Sequence, residues 1–247
     1  MSRPATASKA AGATPPAAAR GPRWTRRKES RPSELLDAAL AVFVERGFAT
    51  TRLEDVAARA GVSKGTLYLY YANKEELFKA VVRQNVVPLI SHYRESIAQS
   101  TRPAPELLDD FVHAWWHRFG DTPLAGIAKL CIGEAGNFPE VARFLNDEVI
   151  GPQEALLMSI LDRGMAARVW REVDVQATAH QIMAPLVLKA IWRRSIEPCC
   201  SGAVSLDPQR FILHHVASTL RALAPDRPPG SDPVELAEPV RDQRRGT

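Results

Sequence analysis

The sequence predicts an all-α protein, an N-terminal three-helix domain followed by a larger helical domain. Three observations carry this. Nearly every segment between 30 and 224 spaces its apolar residues three and four apart, the pattern that lines one side of an α-helix. No stretch alternates apolar and polar residues as a half-buried strand does, and no internal repeat is visible. The chain of 247 residues can bury one large core or two modest ones, and 45% apolar with 24% charged residues is ordinary for a globular protein.

The elements follow in order. Residues 1–29 are rich in alanine and proline and carry 7 basic side chains before the first acid, Glu29. They hold too little apolar surface to offset ordering, so a disordered basic arm is expected. The first helix follows Pro32, buries Leu36, Ala39, Leu40 and Phe43, and stops at Gly47, a residue suited to a left-handed exit. The second starts at Thr51, where Thr51-Arg52-Leu53-Glu54 reads as a capping box, and buries Leu53, Val56, Ala57 and Ala60 before Gly61. The third is capped by Ser63 and runs to Tyr71. A fourth opens at Asn73-Lys74-Glu75-Glu76, continues through Leu77, Phe78, Val81 and Val82, and is expected to kink at Pro88.

Longer helices follow over about 104–120, 123–135, 139–150, 152–168, 174–195 and 208–224, with Gly151-Pro152 as a break and Asp174 and Asp207-Pro208 as capped starts. The domains are therefore the arm (1–29), a helix-turn-helix domain (30–78), a larger helical domain (79–224) and a second disordered tail (225–247).

Positive charge is concentrated at the front. Residues 1–74 hold 13 lysines and arginines against 6 acids, whereas the remainder holds 19 against 22. A polyanion is the natural partner for such a front. No apolar run is long enough to span a bilayer, the N-terminus lacks the apolar segment of a secretory signal, and three cysteines make a poor disulfide framework. A cytoplasmic protein with no membrane partner is expected. No cysteine stands at zinc-ligand spacing with a histidine, so neither a metal nor another cofactor is expected.

Gly61-Val62-Ser63-Lys64-Gly65 fits G-x-S-x-G, the pattern of a hydrolase's nucleophile elbow. That elbow needs a strand before the serine, and Leu53–Ala60 has helical spacing instead. His214 and His215 sit in a helical stripe where packing accounts for them. No catalytic residue is assigned. Two helices joined by a tight turn at Gly61-Val62-Ser63 make a helix-turn-helix. Leu67 and Tyr71 face inward, and Lys64, Gly65, Thr66, Tyr68, Leu69 and Tyr70 are left for a duplex.

Over about 31–80, Glu34-Leu35-Leu36-Asp37-Ala38-Ala39, Phe43, Arg46-Gly47-Phe48, Thr50-Thr51, Leu53-Glu54-Asp55-Val56-Ala57, Ala60 through Tyr68, Tyr71 and Asn73 through Leu77 resemble the DNA-binding domain of the TetR family of transcriptional regulators. The Tyr70-Tyr71 pair stands where the family often has His-Phe. The resemblance implies a homodimer whose larger domain binds a small-molecule effector and dimerises through its last two long helices. It implies a repressor released from a palindromic double-stranded DNA operator by that effector. Lys64, Thr66 and Leu69 become candidates for base edges, with Gly65 permitting approach. Thr51, Arg52, Ser63, Tyr68, Tyr70 and Lys74 become candidates for phosphates. The basic residues Arg20, Arg23, Arg26, Arg27 and Lys28, with Trp24, are suited to an adjacent minor groove or to sequence-independent backbone attraction.

For the effector cavity the available side chains are Phe111, Trp115, Trp116, Phe119, Cys131, Phe138, Met158 and Met165, with His113, His117 and Gln181 as polar candidates. Plain core packing competes for each. For the dimer face the stripes offer Ile182, Met183, Leu186 and Ala190 on one helix and Phe211, His215 and Thr219 on the next. The rival function is a non-specific DNA-organising protein, which would share the basic front without needing the large apolar domain.

Overall fold

The computed structural model describes residues 23–200 and 206–225, with side chains from Pro32 onward. The expected basic arm up to residue 22 and the tail from 226 lie outside these residues. Among the described residues there are eleven α-helices and no strand: α1 (Arg23–Arg46), α2 (Leu53–Arg59), α3 (Lys64–Tyr68), α4 (Lys74–Asn85), α5 (Val87–Gln99), α6 (Ala104–Trp115), α7 (Ala125–Glu134), α8 (Pro139–Leu145), α9 (Gly151–Ala166), α10 (Val175–Ser195) and α11 (Pro208–Leu223). Wide π-helical turns over Trp116–Gly120 and Asn146–Ile150 extend α6 and lead α8 into α9. Gly151-Pro152 therefore does not break the helical run from α8 into α9. Proline sits in the first turn of α9, where its missing N–H costs least.

Three expectations change. Helix α1 begins at Arg23, so 23–29 are helical and Pro32 lies inside the helix at the cost of one backbone hydrogen bond. Helix α2 begins one residue later than the proposed capping box, because Thr51 is spent elsewhere: its buried hydroxyl donates to the Gly47 carbonyl at 2.6 Å. Asp55 accepts from the Arg52 N–H in its place (3.4 Å). The bend after α4 falls at Val86, two residues before Pro88, and proline opens α5.

Two apolar cores hold the molecule. The first joins Leu35, Ala39, Phe43, Phe48, Val56, Leu67, Leu77, Phe78 and Val81 to Ile127, Leu130, Phe144 and Leu145 of α7 and α8. Phe43, Phe48 and Phe78 pack as a ring triad with centroids 5.3–5.6 Å apart. The second core gathers α6, α9, α10 and α11 around Leu108, Trp116, Leu157, Ile160, Leu161 and Leu186. The expected boundary at 78 falls inside α4, whose Val81 and Val82 belong to the first core. No described helix is long and apolar enough to cross a membrane.

Candidate nucleic-acid interface and ligand cavity

Two left-handed glycines set the recognition unit. Gly47 (φ 88°) ends α1 and Gly61 (φ 66°) ends α2, conformations that side chains with a Cβ adopt rarely. Past Gly61 the Val62 N–H reaches back to the Ala57 carbonyl at 3.0 Å, closing the end of α2 and starting the turn. Ser63 then caps α3. Its Oγ accepts the Thr66 N–H at 3.1 Å and lies 2.8 Å from the Thr66 hydroxyl. A helix, not a strand, precedes the serine. The hydroxyl serves as a cap, as the helix-turn-helix reading requires.

Helix α3 shows the core one side chain, Leu67, with Val62 and Tyr71 half-buried beside it. Burial raises the Tyr71 phenol above its ordinary pKa. Outward stand Tyr68, Leu69 and Tyr70, and Leu69 is 84% exposed. A leucine so exposed on a short helix does no work for the fold. A side chain on Gly65 would meet nothing nearer than Ser63 Oγ at 3.8 Å, so the fold itself does not demand glycine there. Lys64 forms an exposed ion pair with Glu54 and sits 5.6 Å from the Tyr68 ring, and the pairing raises the lysine pKa and lowers that of Glu54. Such exposed pairs exchange readily for other partners. Arg52 is exposed at the start of α2.

Two of the expected phosphate contacts are already occupied. Thr51 is 3% exposed and its hydroxyl is committed to Gly47. Lys74 donates to the carbonyls of Phe48 and Ala49 at 2.8 and 3.0 Å, with its ammonium 4.6 Å from the Phe48 ring and 5.4 Å from that of Phe138. It fastens the start of α4 to the α1–α2 turn.

The larger domain carries a half-open cavity of about 370 Å³, with the exposed Ile132 and Leu188 on its walls. Of the expected residues, Trp115, Phe119 and Cys131 line it. Burial pushes the Cys131 thiol up, keeping it a neutral wall group. Phe111 faces a neighbouring cavity of about 30 Å³, which also reaches Arg118. Trp116 is buried in the second core, and Met158 and Met165 pack half-buried against it. Phe138 closes the first core beside Phe48 (4.7 Å). Gln181 lines a separate space of about 100 Å³ with Thr219. His113 bonds the Asp109 carbonyl at 3.0 Å, and neither it nor the exposed His117 lines the 370 Å³ cavity. Walls that the sequence did not single out come from Ile127, Ile132, Val149, Ile150, Val187 and Leu188, and its polar groups are Gln153, Glu154 and His180. The three cysteines are free, and the described residues contain no cluster suited to a metal.

Residues 35–81 match the family described as bacterial regulatory proteins of the tetR type, and residues 106–220 match the C-terminal domain of AefR-like transcriptional repressors. The fatty acid metabolism regulator protein of Bacillus subtilis is 30% identical over 162 residues, 64% of this chain and 82% of its own length. The chain belongs to the TetR family. The transcriptional activator FasR of Mycolicibacterium smegmatis is 37% identical over 91 residues, 34% of this chain and 42% of FasR. The chain thus spans about two fifths of FasR, and 39% of the HTH-type transcriptional repressor KstR2 of Mycobacterium tuberculosis. Among solved structures, the fatty acid degradation regulator FadR of Bacillus halodurans superposes with TM-score 0.63 at 22% identity, covering 77% of this chain and 94% of its own. FadR of Bacillus subtilis, solved with stearoyl-CoA, gives 0.58 at 20% identity, covering 78% and 97%. At these identities the superpositions establish a shared fold.

The TetR resemblance placed a partner face on the stripes of α10 and α11, and the structure turns those stripes inward. Ile182, Met183, Leu186 and Ala190 are buried in the subunit's own second core, and Phe211, His215 and Thr219 pack half-buried against it. His215 donates from Nε2 to the Ile182 carbonyl at 2.9 Å, tying α11 to α10. The outward apolar residues are Leu188, Trp192 and Ile196 on α10 and its end, and Leu213 on α11. Helix α10 is apolar on two sides. Leu186 and Leu188 lie about 200° apart around its axis, so spacing alone could not say which side meets the subunit's own core.

Proposed function

We propose that this chain is a sequence-specific DNA-binding transcriptional regulator without enzymatic activity, acting in the cytoplasm as a homodimeric repressor that a small-molecule effector releases from a palindromic operator. The carrying observation is α3. It is a short helix anchored by Leu67 alone, capped by Ser63, and presenting Tyr68, Leu69 and Tyr70 beside Lys64 with no intramolecular use for their exposure. In this reading Lys64, Thr66 and Leu69 meet base edges, and Arg52, Ser63, Tyr68 and Tyr70 meet phosphates. A good base contact contributes roughly 1–3 kcal/mol of discrimination. Leu188, Trp192, Ile196 and Leu213 form the partner face, in place of the buried stripes.

The effector occupies the 370 Å³ cavity, a volume within the range of small-molecule sites. Its walls communicate with the DNA-binding unit by contact. Val149 and Ile150 line the cavity, while their neighbour Glu148 holds Arg83 of α4 in a two-pronged ion pair at 2.6 and 2.9 Å. An effector acts only by favouring one arrangement of α4 over another.

Selection of bound sequences from a random DNA pool tests the reading. A palindromic consensus is expected. Equal recovery of all sequences would replace it with the non-specific organising protein.

A further inference from the structure

Beside the bases and hydroxyls of the recognition unit stands an acid. Glu54, in the first turn of α2, holds Lys64 of α3 in an ion pair, and its side chain is 48% exposed. A carboxylate among groups suited to phosphates repels a duplex, and the fold does not require this one. Its neighbour Asp55 serves the start of α2, accepting the Arg52 N–H at 3.4 Å and pairing with Arg46 at 2.8 Å. Leu53, Val56 and Ala57 supply the packing of that helix. The hydrogen bond from Lys64, and after it one from the backbone N–H of Glu54 itself, hold the carboxyl below its ordinary pKa, so it remains an acceptor. An ammonium has three donors and a carboxylate about four acceptor positions, and the ion pair uses one of each. What remains is a donor and an acceptor side by side. A phosphate offers acceptors alone, so it can hold the lysine but not the glutamate. In the major groove guanine offers O6 and N7 as acceptors, and its partner cytosine offers the N4 amino group as a donor.

The geometry points to Glu54 as a further specificity residue, its carboxylate accepting from the N4 amino group of a cytosine while Lys64 donates to guanine, so that the ion pair reads a G·C pair in each half-site. This rests on α3 being the recognition helix. Thymine in place of that cytosine turns O4, an acceptor, toward the carboxylate and is refused.

The test takes the full-length protein and its Glu54→Ala variant through selection from the random DNA pool. The parent consensus is expected to hold a cytosine in each half-site for which Glu54→Ala loses about tenfold in preference, while its melting temperature stays within about 2 °C of the parent. In the operator so defined, that cytosine is then replaced by 2-pyrimidinone, which pairs with guanine but lacks the N4 amino group. The parent should bind the replaced operator about tenfold more weakly, and Glu54→Ala should bind both operators alike. A carboxylate that only positioned Lys64 would leave the parent indifferent to the replacement, and that result overturns the inference. So does a variant that loses as much as the parent on replacement. An unchanged consensus in Glu54→Ala, with affinity raised for all sequences alike, would make the acid a brake on binding and overturns it too. A parent that yields no consensus removes the reading of α3 and this inference together, whereas a palindromic consensus left intact by Glu54→Ala removes the role of Glu54 alone.

Discussion

Replacing Lys74 with methionine separates two roles that one lysine can play. A lysine at the start of a helix next to a recognition unit reads as a phosphate contact. The geometry says it is a fastener: two carbonyl acceptors at 2.8 and 3.0 Å and two aromatic rings within 5.4 Å use the ammonium within the fold. The bond to Phe48 is part-buried and the bond to Ala49 exposed, so the first carries most of the energy. A charged hydrogen bond of the first kind is worth about 1.5 kcal/mol, at the low end for such bonds, and the exposed one a few tenths. The ring contacts add about 0.5–1 kcal/mol. Against this, removing a positive charge from a helix N-terminus returns about 0.3–0.5 kcal/mol. Lys74→Met should therefore destabilise the protein by about 2 kcal/mol, lowering the melting temperature by roughly 4–8 °C for a chain of this size.

Calorimetry gives the melting temperature, and operator titrations across a salt series give the second readout. If Lys74 neutralised a phosphate, its loss would reduce the slope of log affinity against log salt by about 0.9. The fastener leaves that slope where it was, even if affinity falls because the α1–α2 turn loosens. An unchanged melting temperature together with a shallower slope would refute the reasoning.

Tyr68→Ala should weaken operator binding by about tenfold while moving the melting temperature by less than about 2 °C, because Tyr68 is 44% exposed; a matching loss of stability would place the ring in the core. Leu213→Glu puts a charge at a position 60% exposed on α11, and sedimentation should show a monomer with native helicity; a persistent dimer would move the partner face elsewhere. His215 titrates below its ordinary value, chiefly because burial disfavours the imidazolium, with its bond to Ile182 opposing this more weakly. The unfolded chain then binds more protons than the folded one as pH falls below about 6.5, so stability is full above that value and declines below it until the folded group also protonates. His215→Gln should flatten the urea midpoint between pH 7.5 and 5.5, and an unaltered pH dependence would assign the decline to other groups. Arg83→Ala frees Glu148, so amides of 146–150 should exchange hydrogen faster than in the parent while those of α9 stay protected; equal rates would show that the ion pair does not hold the turn.

The fold was legible because its signals are local. Apolar spacing and the caps Ser63, Asn73, Asp174 and Asp207 each act within one turn, and each of those four side chains accepts a backbone N–H three residues on. The outward tyrosines were legible for the related reason that a helix with a single inward residue must expose the rest. The roles of Thr51 and Lys74 were not, since both depend on where the α1–α2 turn lies in space; Lys74 bonds to residues 25 and 26 positions earlier. The cavity was half legible. Aromatics marked Trp115 and Phe119, whereas Val149 and Ile150 look like any helix residues until the wide turn at 146–150 carries them to the wall. Glu154 and His180 meet only when α9 and α10 pack together.

Taken with the cores, these contacts make α4 a member of both domains. Its first residue is clamped between Phe48 and Phe138, the latter from the α7–α8 connection. Near its end Arg83 stacks 4.9 Å from the Phe144 ring while holding Glu148. Its middle, Leu77, Phe78 and Val81, is buried in the core that also receives Leu67 of the recognition helix. A helix held at both ends and packed along its length cannot bend to absorb a movement of α8 or the turn after it. Close-packed interiors pass displacement on instead of damping it. Through Leu77, Phe78 and Val81 the helix α4 shares a core with the anchor of α3, and through Arg83 it holds Glu148 beside the cavity walls Val149 and Ile150, so displacement at either place reaches the same helix.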